Sequence, residues 1–79
     1  MSSDVRESVE VIEFIAKGIG TEPESVKVTA TEEGRVLELE TTNNDRGRVI
    51  GRQGRVAKAM RAVLTASRSG ADRRLEIVD

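Results

Sequence analysis

The strongest constraint on the fold is a stretch of about 30 residues that separates two short segments with the alternating pattern of β-strands. These segments are RVLELET (residues 35–41) and RRLEIV (residues 73–78). The residues between them are mostly helix-forming, and a helical connection of this length lets two strands pair in parallel. An earlier alternating segment, VKVTAT (residues 26–31), is expected to form a hairpin with residues 35–41 through a reversal at Glu33-Gly34. The positions expected to face inward are Val26, Val28, Ala30, Leu37 and Leu39.

Three helices are expected around these strands. Residues 4–18 form the first, because their apolar residues recur at spacings of four and three. The run Asn43-Asn44-Asp45 supplies N-cap residues for a helix of about one turn that Gly51 interrupts. Residues 54–69 are rich in good helix formers and predict a longer helix that Gly70 ends. The expected core positions of the first and last helices are Val5, Val9, Ile12, Ala16, Ile19, Val56, Met60, Val63 and Ser67, with Ala59 and Leu64 flanking.

Together these elements predict a two-layer α+β domain in the order α-β-β-α-α-β. The three strands form a mixed sheet with the helices on one face, and residues 1–79 make a single domain.

The chain has no cysteine or histidine, so a thiolate metal site is excluded and catalysis at neutral pH would depend on carboxylates or lysine. We therefore expect no enzyme, cofactor, metal or small-molecule substrate. No apolar run reaches the roughly 20 residues of a bilayer-spanning helix, and no export signal is visible, so a cytoplasmic protein without membrane contact is expected.

Charge is divided unevenly along the chain although the net charge is only −1. Residues 1–45 hold four cations against eleven acids, whereas residues 46–74 hold nine cations against Asp72 alone. Such blocks predict one basic surface, which attracts a polyanion, on an otherwise acidic body. The alternative is that the two halves neutralise each other across the fold or between molecules.

The segment VIGRQGRV (residues 49–56) places two glycines around Arg52 and Gln53, between the second and third expected helices. Glycines let a backbone turn sharply and approach a ligand, and the helix that begins here presents free N–H groups. A phosphate group would suit both features. The spacing differs from that of the Walker A phosphate loop, and no strand directly precedes the segment as in the dinucleotide-binding fingerprint.

With its flanking residues, this segment resembles the Gly-x-x-Gly signature of the KH domain, and residues 45–59 (DRGRVIGRQGRVAKA) are similar to the KhpA family of small bacterial single-KH proteins. The resemblance implies a prokaryotic-type KH fold whose loop clamps about four nucleotides of single-stranded RNA. It also implies a cytoplasmic protein that forms homodimers and/or pairs with a second KH protein, KhpB. The implied role is that of an RNA chaperone or post-transcriptional regulator linked to cell elongation and division.

The physical properties of the loop at residues 51–54 and the resemblance together assign roles to individual residues. The loop glycines would admit the RNA backbone, and the two polar residues between them would meet phosphates. Val49 is expected to be buried and Ile50 to lie near the groove under the bases. The residues expected to bind RNA are Arg48, Ile50, Gly51, Arg52, Gln53, Gly54, Arg55 and Lys58.

The remaining cations are expected to act more weakly. Arg61 and Arg68 would add a long-range field, and Arg46, Arg73 and Arg74 are expected to be surface charges. Because Phe14 is the only aromatic residue, base stacking is scarce and binding should tolerate many sequences while weakening with salt. A plain tight turn is the alternative interpretation of the two glycines.

Two faces are candidates for a protein partner. Phe14 lies opposite the apolar stripe of the first helix with Val11 beside it, and Ala59, Ala62 and Ala66 form a smooth strip on the last helix. The alternatives are that Phe14 packs within its own chain and that the alanines reflect helix propensity. These faces support a rival function, a KH-shaped adaptor with weak or no RNA binding. A third candidate, a phosphate-chemistry enzyme, would need a base or metal site, and the only carboxylate near the loop is Asp45.

Overall fold

The computed structural model describes residues 3–78 and has the predicted order of helices and strands. Three short 3₁₀ turns, at Pro23–Ser25, Glu32–Gly34 and Arg52–Gly54, connect them. The main elements are helix α1 (Ser3–Ile19), strands β1 (Lys27–Thr31) and β2 (Val36–Glu40), helices α2 (Asn43–Ile50) and α3 (Arg55–Ala66), and strand β3 (Arg74–Val78).

The sheet has the order β1-β2-β3, with the helices on one face. Strands β1 and β2 are antiparallel, and β3 pairs with β2 in parallel, as the long helical connection predicted. The reversal at Glu33-Gly34 is also confirmed, because both residues have positive φ within the turn between β1 and β2. Leu37 and Leu39 of the central strand face the helices and are fully buried, so the alternation of this segment was interpreted correctly.

The hydrophobic core fills the space between the helices and the inner face of the sheet. The residues Val9, Ile15, Val28, Ala30, Val56 and Ile77 surround it as a partly buried rim. Burial of this shared apolar surface is the main stabilising term for so small a domain. The buried core residues are Ile12, Ala16, Val26, Leu37, Leu39, Val49, Met60, Leu64 and Leu75.

The second helix differs from its prediction in length and in its cap. Helix α2 spans eight residues, about two turns, rather than one. Its N-cap is Thr42, whose hydroxyl accepts a hydrogen bond from the backbone N–H of Asp45 at 3.2 Å. The run Asn43-Asn44-Asp45, which was expected to cap the helix, therefore lies inside its first turn, because Thr42 accepts the hydrogen bond from the free N–H of Asp45.

The third helix ends earlier than expected and is rotated about its axis. Helix α3 ends at Ala66 and not at residue 69, and the backbone N–H of Ser67 bonds to the carbonyls of Val63 and Leu64. Its buried face consists of Ala57, Met60 and Leu64, whereas Val63 is 42 % exposed. The prediction that Val63 lies in the core was wrong.

Arg73 also departs from its prediction, because it is half-buried rather than a free surface charge. Its Nη1 donates to the carbonyl of Gly34 at 2.7 Å, and its Nε donates to the hydroxyl of Ser8 at 3.1 Å. Ser8 is 1 % exposed. One side chain thus joins helix α1, the hairpin turn and the start of β3.

Candidate nucleic-acid interface

The loop between α2 and α3 consists of a short turn held by backbone hydrogen bonds. The N–H of Gly51 donates to the carbonyl of Gly47 at 2.8 Å, and that of Gly54 donates to the carbonyl of Gly51 at 3.0 Å. Three residues of the loop have positive φ: 80° at Gly51, 57° at Gln53 and 74° at Gly54. The chain therefore reverses sharply and places residues 52 and 53 at an exposed tip.

The structure explains the presence of glycine at the two positions of this loop in different ways. A β-carbon at Gly51 would lie 2.5 Å from Cγ2 of Val56, so this position packs against the next helix. A β-carbon at Gly54 would meet no atom within 4 Å. Gly51 is thus required by packing as well as by its backbone angles, whereas Gly54 borders open space that a ligand backbone could enter.

The loop tip carries donors and faces the beginning of a helix. Arg52 and Gln53 are both exposed, as predicted, and Arg55 donates from Nη2 to Oε1 of Gln53 at 3.4 Å. Helix α3 has Gly54 as its N-cap, and no side chain caps its first turn. Free N–H groups and the positive end of the helix dipole therefore lie at the loop, where they favour an anion.

The residues around the loop differ in their exposure to solvent. Val49 is fully buried, and Ile50 is 36 % exposed beside the loop. The side chain of Arg48 is 59 % exposed, with its Nε 4.0 Å from Oδ1 of Asp45. Lys58 is exposed on α3. The side chains expected to bind RNA thus lie on the loop or within four residues of it along the chain.

Asp45 has a role that sequence reasoning missed. Its carboxylate is 1 % exposed and accepts hydrogen bonds from the backbone N–H and hydroxyl of Thr21 and from the backbone N–H of Glu22. The backbone bond from Thr21 is the largest influence and holds the pKa of Asp45 below its ordinary value, although desolvation opposes this. The group is a structural anchor for α2 and is not available as a base or metal ligand at the loop.

The other cations among residues 46–74 lie in different surroundings. Arg55, Lys58 and Arg61 lie exposed on α3, whereas Arg68 lies beyond the end of the helix. Residue 68 was expected to lie within this helix, and that prediction was wrong because the helix ends at Ala66. Arg61 donates from Nε to the carbonyl of Leu75 at 3.3 Å.

The exposed apolar surface lies on the helical side of the domain. Phe14 is 80 % exposed and Val11 is 37 % exposed, so Phe14 does not pack within the described part of its own chain. Both line a groove of about 530 Å³ between α1 and the segment after α3, which we call the Phe14 groove. Its other lining residues are Glu7, Glu10, Ile15, Ser67, Arg68 and Ser69.

A second apolar groove, of about 300 Å³, lies between α1 and α3 and shares Ile15 with the Phe14 groove. Ala59 and Val63 line it, and Ala62 and Ala66 are exposed nearby on α3. The two grooves therefore adjoin at Ile15 of α1.

Within residues 3–78, no group of three or more acidic side chains is placed to hold a metal ion. None of the helices in this range is long and apolar enough to cross a membrane.

Comparison with known proteins is consistent with this geometry. The family model described as "KhpA/KhpB, KH domain" matches residues 9–78. A protein named RNA-binding protein KhpA from Leifsonia xyli is 45 % identical over 67 residues, which cover 82 % of this chain and 88 % of that protein. Proteins of the same name match at 47 % identity in Clostridium perfringens (73 % of this chain, 80 % of that protein) and at 40 % in Borreliella burgdorferi (90 % and 92 %). No solved structure gives a significant match.

Proposed function

This chain belongs to the KhpA/KhpB KH-domain family, and from that premise we propose that it is a non-catalytic protein that binds single-stranded RNA. The observation that carries the proposal is the exposed loop of residues 51–54 at the uncapped N-terminus of α3. Three relatives that match over most of this chain are named RNA-binding proteins. We further propose that residues 1–79 form a single KH domain.

The proposed binding mode follows from the groups at the loop. Gly54 leaves space for a nucleic-acid backbone, and Arg52 and Gln53 would contact phosphates from the tip. Arg48, Arg55 and Lys58 would add charge on either side, and Ile50 would contact a base. Phosphate contacts are independent of sequence, so the loop alone would bind many RNAs, and its affinity would fall as salt rises.

The finer functional roles rest on the family resemblance. We propose that the protein acts in the cytoplasm as an RNA chaperone or post-transcriptional regulator linked to cell elongation and division. We also propose that it forms a homodimer and/or pairs with a second KH protein. The exposed Phe14 and the grooves across α1 and α3 support a protein partner.

The test of RNA binding is fluorescence anisotropy with a short mixed-sequence single-stranded RNA at two salt concentrations. We expect wild type to bind and the double variant Arg52→Asp with Gln53→Asp to lose binding while remaining folded by circular dichroism. Both side chains are exposed, and aspartate tolerates the positive φ of residue 53. Each phosphate contact should contribute about −0.7 to the slope of log affinity against log salt.

A matched control carries the same change in charge at a distant site. The double variant Arg6→Asp with Ser3→Asp alters exposed positions in the first turn of α1, where acids favour a helix. It should bind nearly as well as wild type. Equal losses in the two double variants would mean that net charge alone governs binding, and the loop would not be the site.

The adaptor function is the second candidate, and the exposure of Phe14 favours it. Sedimentation of wild type and of Phe14→Ser tests it, with RNA binding measured on the same samples. The adaptor would be the main function if wild type self-associates but binds no RNA at low salt, and if Phe14→Ser abolishes the self-association. Retained RNA binding in Phe14→Ser would show that the two surfaces act separately.

A further inference from the structure

Helix α2 leads into the loop of residues 51–54, yet its own sequence favours a helix only weakly. It has eight residues, NNDRGRVI, and isolated helices shorter than about 12–15 residues are marginally stable in water. Two asparagines, an aspartate and a glycine in the middle of the helix lower its helix propensity further. The position of α2, and with it the position of the loop, therefore depends on contacts with the rest of the domain.

Two side chains of α2 are buried, and they lie four residues apart on one face of the helix. Val49, near the loop, belongs to the hydrophobic core. Asp45, in the first turn, accepts hydrogen bonds from the segment that follows α1. The burial of Val49 is favourable but has no preferred direction, whereas hydrogen bonds have a preferred distance and angle. Asp45 is therefore the residue that sets the orientation of α2 relative to the end of α1.

The carboxylate of Asp45 is enclosed on several sides. The backbone N–H groups of Thr21 and Glu22 donate to its Oδ2 at 2.9 Å and 2.8 Å. A β-carbon at Gly20 would lie 2.8 Å from the same oxygen, so the chain leaves no room for the carboxylate to shift toward α1. Its Oδ1 lies 4.0 Å from Nε of Arg48, an exposed cation that is expected to contact RNA.

We propose that Asp45 is a positioning residue for RNA binding, which fixes α2 so that the loop of residues 51–54 and Arg48 are held in the arrangement that phosphates require. Gly51 lies six residues beyond Asp45, about 9 Å along the helix axis, so a small rotation of α2 at its first turn displaces the loop. A loop that is already ordered loses less conformational freedom when it binds a ligand, and this raises affinity. The inference rests on the proposed RNA binding and goes beyond it, because the buried Asp45 would itself touch no RNA.

The test is fluorescence anisotropy with the short mixed-sequence RNA, on two variants that disturb the contact in different ways. Asp45→Asn keeps the size of the side chain but removes an acceptor and a negative charge. Gly20→Ala keeps every charge but places a β-carbon against the carboxylate. We expect each variant to bind RNA on the order of fivefold more weakly than wild type. Loss of a negative charge beside Arg48 would by itself strengthen phosphate binding, so the weaker binding of Asp45→Asn separates positioning from electrostatics.

Two control variants address charge and general stability. Glu22→Gln removes one negative charge from the same region, but the hydrogen bond from residue 22 to Asp45 uses the backbone N–H and is retained. Val5→Ala removes buried apolar atoms near the start of α1, beside Gly34, and lowers stability without touching α2 or the loop. Both controls should bind RNA at least nearly as well as wild type.

Correlation spectra of the backbone amide groups give a second measurement, made on the proteins without RNA. The signals of Gly51 and Gly54 should shift in Asp45→Asn and in Gly20→Ala, because the loop changes its arrangement. The same signals should keep their positions in Val5→Ala. Thermal unfolding verifies that each variant is folded at the temperature of the assay.

The possible results separate this inference from the proposed function. Wild-type affinity in either folded variant, Asp45→Asn or Gly20→Ala, would overturn the positioning role. An equal loss in Glu22→Gln or Val5→Ala would also overturn it, because charge or reduced stability would then explain the weaker binding. Failure of wild type to bind the RNA would reject the proposed function itself, and this inference with it.

Discussion

Thr21 and Asp45 are joined by hydrogen bonds through both the backbone and the side chain of the threonine. The backbone N–H of Thr21 donates to Oδ2 of Asp45 at 2.9 Å, and its hydroxyl donates to Oδ1 at 2.8 Å. Gly20 permits this close approach, because a β-carbon there would lie 2.8 Å from Oδ2. The contact ties the end of α1 to α2, and α2 leads directly into the loop of residues 51–54.

Replacement of Asp45 by asparagine should lower the melting temperature by several degrees. The amide group would turn an N–H₂ donor toward the N–H groups of Thr21 or Glu22, and at least one of these donors would lose its acceptor. Thermal unfolding by circular dichroism measures the change. Asp72→Asn, at an exposed position, is the control and should leave the melting temperature nearly unchanged. Equal melting temperatures for the two variants would contradict the structural role of Asp45.

The same carboxylate should make stability depend on pH in the acid range. Its pKa is lowered in the folded state, so the unfolded chain binds the proton more readily, at a pKa of about 3.9. The contribution is therefore fully present above that value and is lost as the pH falls through the lower pKa of the folded state. Urea unfolding of wild type and Asp45→Asn from pH 6 to pH 2 should show their difference in stability shrinking as the pH falls. A difference that is constant over this range would contradict the assignment.

The strands could be predicted well from the sequence because each has one solvent-exposed face and one buried face. Leu37 and Leu39 alternate with glutamates, and a period of two leaves little choice of face. Helix α3 was harder, because Val56 and Val63 fit a helical stripe as well as Ala57 and Leu64 do. The packing of α1 and the sheet against α3 decides between these stripes, and a single helix pattern does not contain that information.

The loop could be predicted from sequence, but the residues that hold its surroundings in place could not. Its two glycines lie only three positions apart in the chain, so local spacing was sufficient. Asp45 and Arg73 instead act on partners that are distant in sequence: Thr21 lies 24 residues from Asp45, and Ser8 lies 65 residues from Arg73. Contacts at such separations depend on the completed fold, and an isolated aspartate or arginine carries no local signal for them.

Alanine substitutions should distinguish the two loop glycines. Gly51 has φ 80° and ψ 168°, a region essentially restricted to glycine, and its β-carbon would collide with Val56. Gly51→Ala should cost about 3 kcal/mol or more. Gly54 has φ 74° and ψ 16° with open space beside it, so Gly54→Ala should cost only about 1–2 kcal/mol. Urea unfolding of both variants tests this order, and a larger loss for Gly54→Ala would contradict it.

The outer face of the sheet predicts a stabilising substitution far from the loop. Glu38 on β2 lies directly beside Glu76 on β3, whereas Glu40 lies opposite Lys27 on β1. Glu38→Lys should replace a like-charge pair by an opposite-charge pair and raise the free energy of unfolding by about 0.2–1 kcal/mol at low salt. Glu40→Lys makes the same change in net charge on the same strand, but it places two lysines side by side and should lower stability by a similar amount. Both shifts should diminish at high salt, because exposed charges are screened. Urea unfolding at two salt concentrations measures them, and shifts of the same sign in both variants would show that net charge, rather than pairing across the strands, controls stability here.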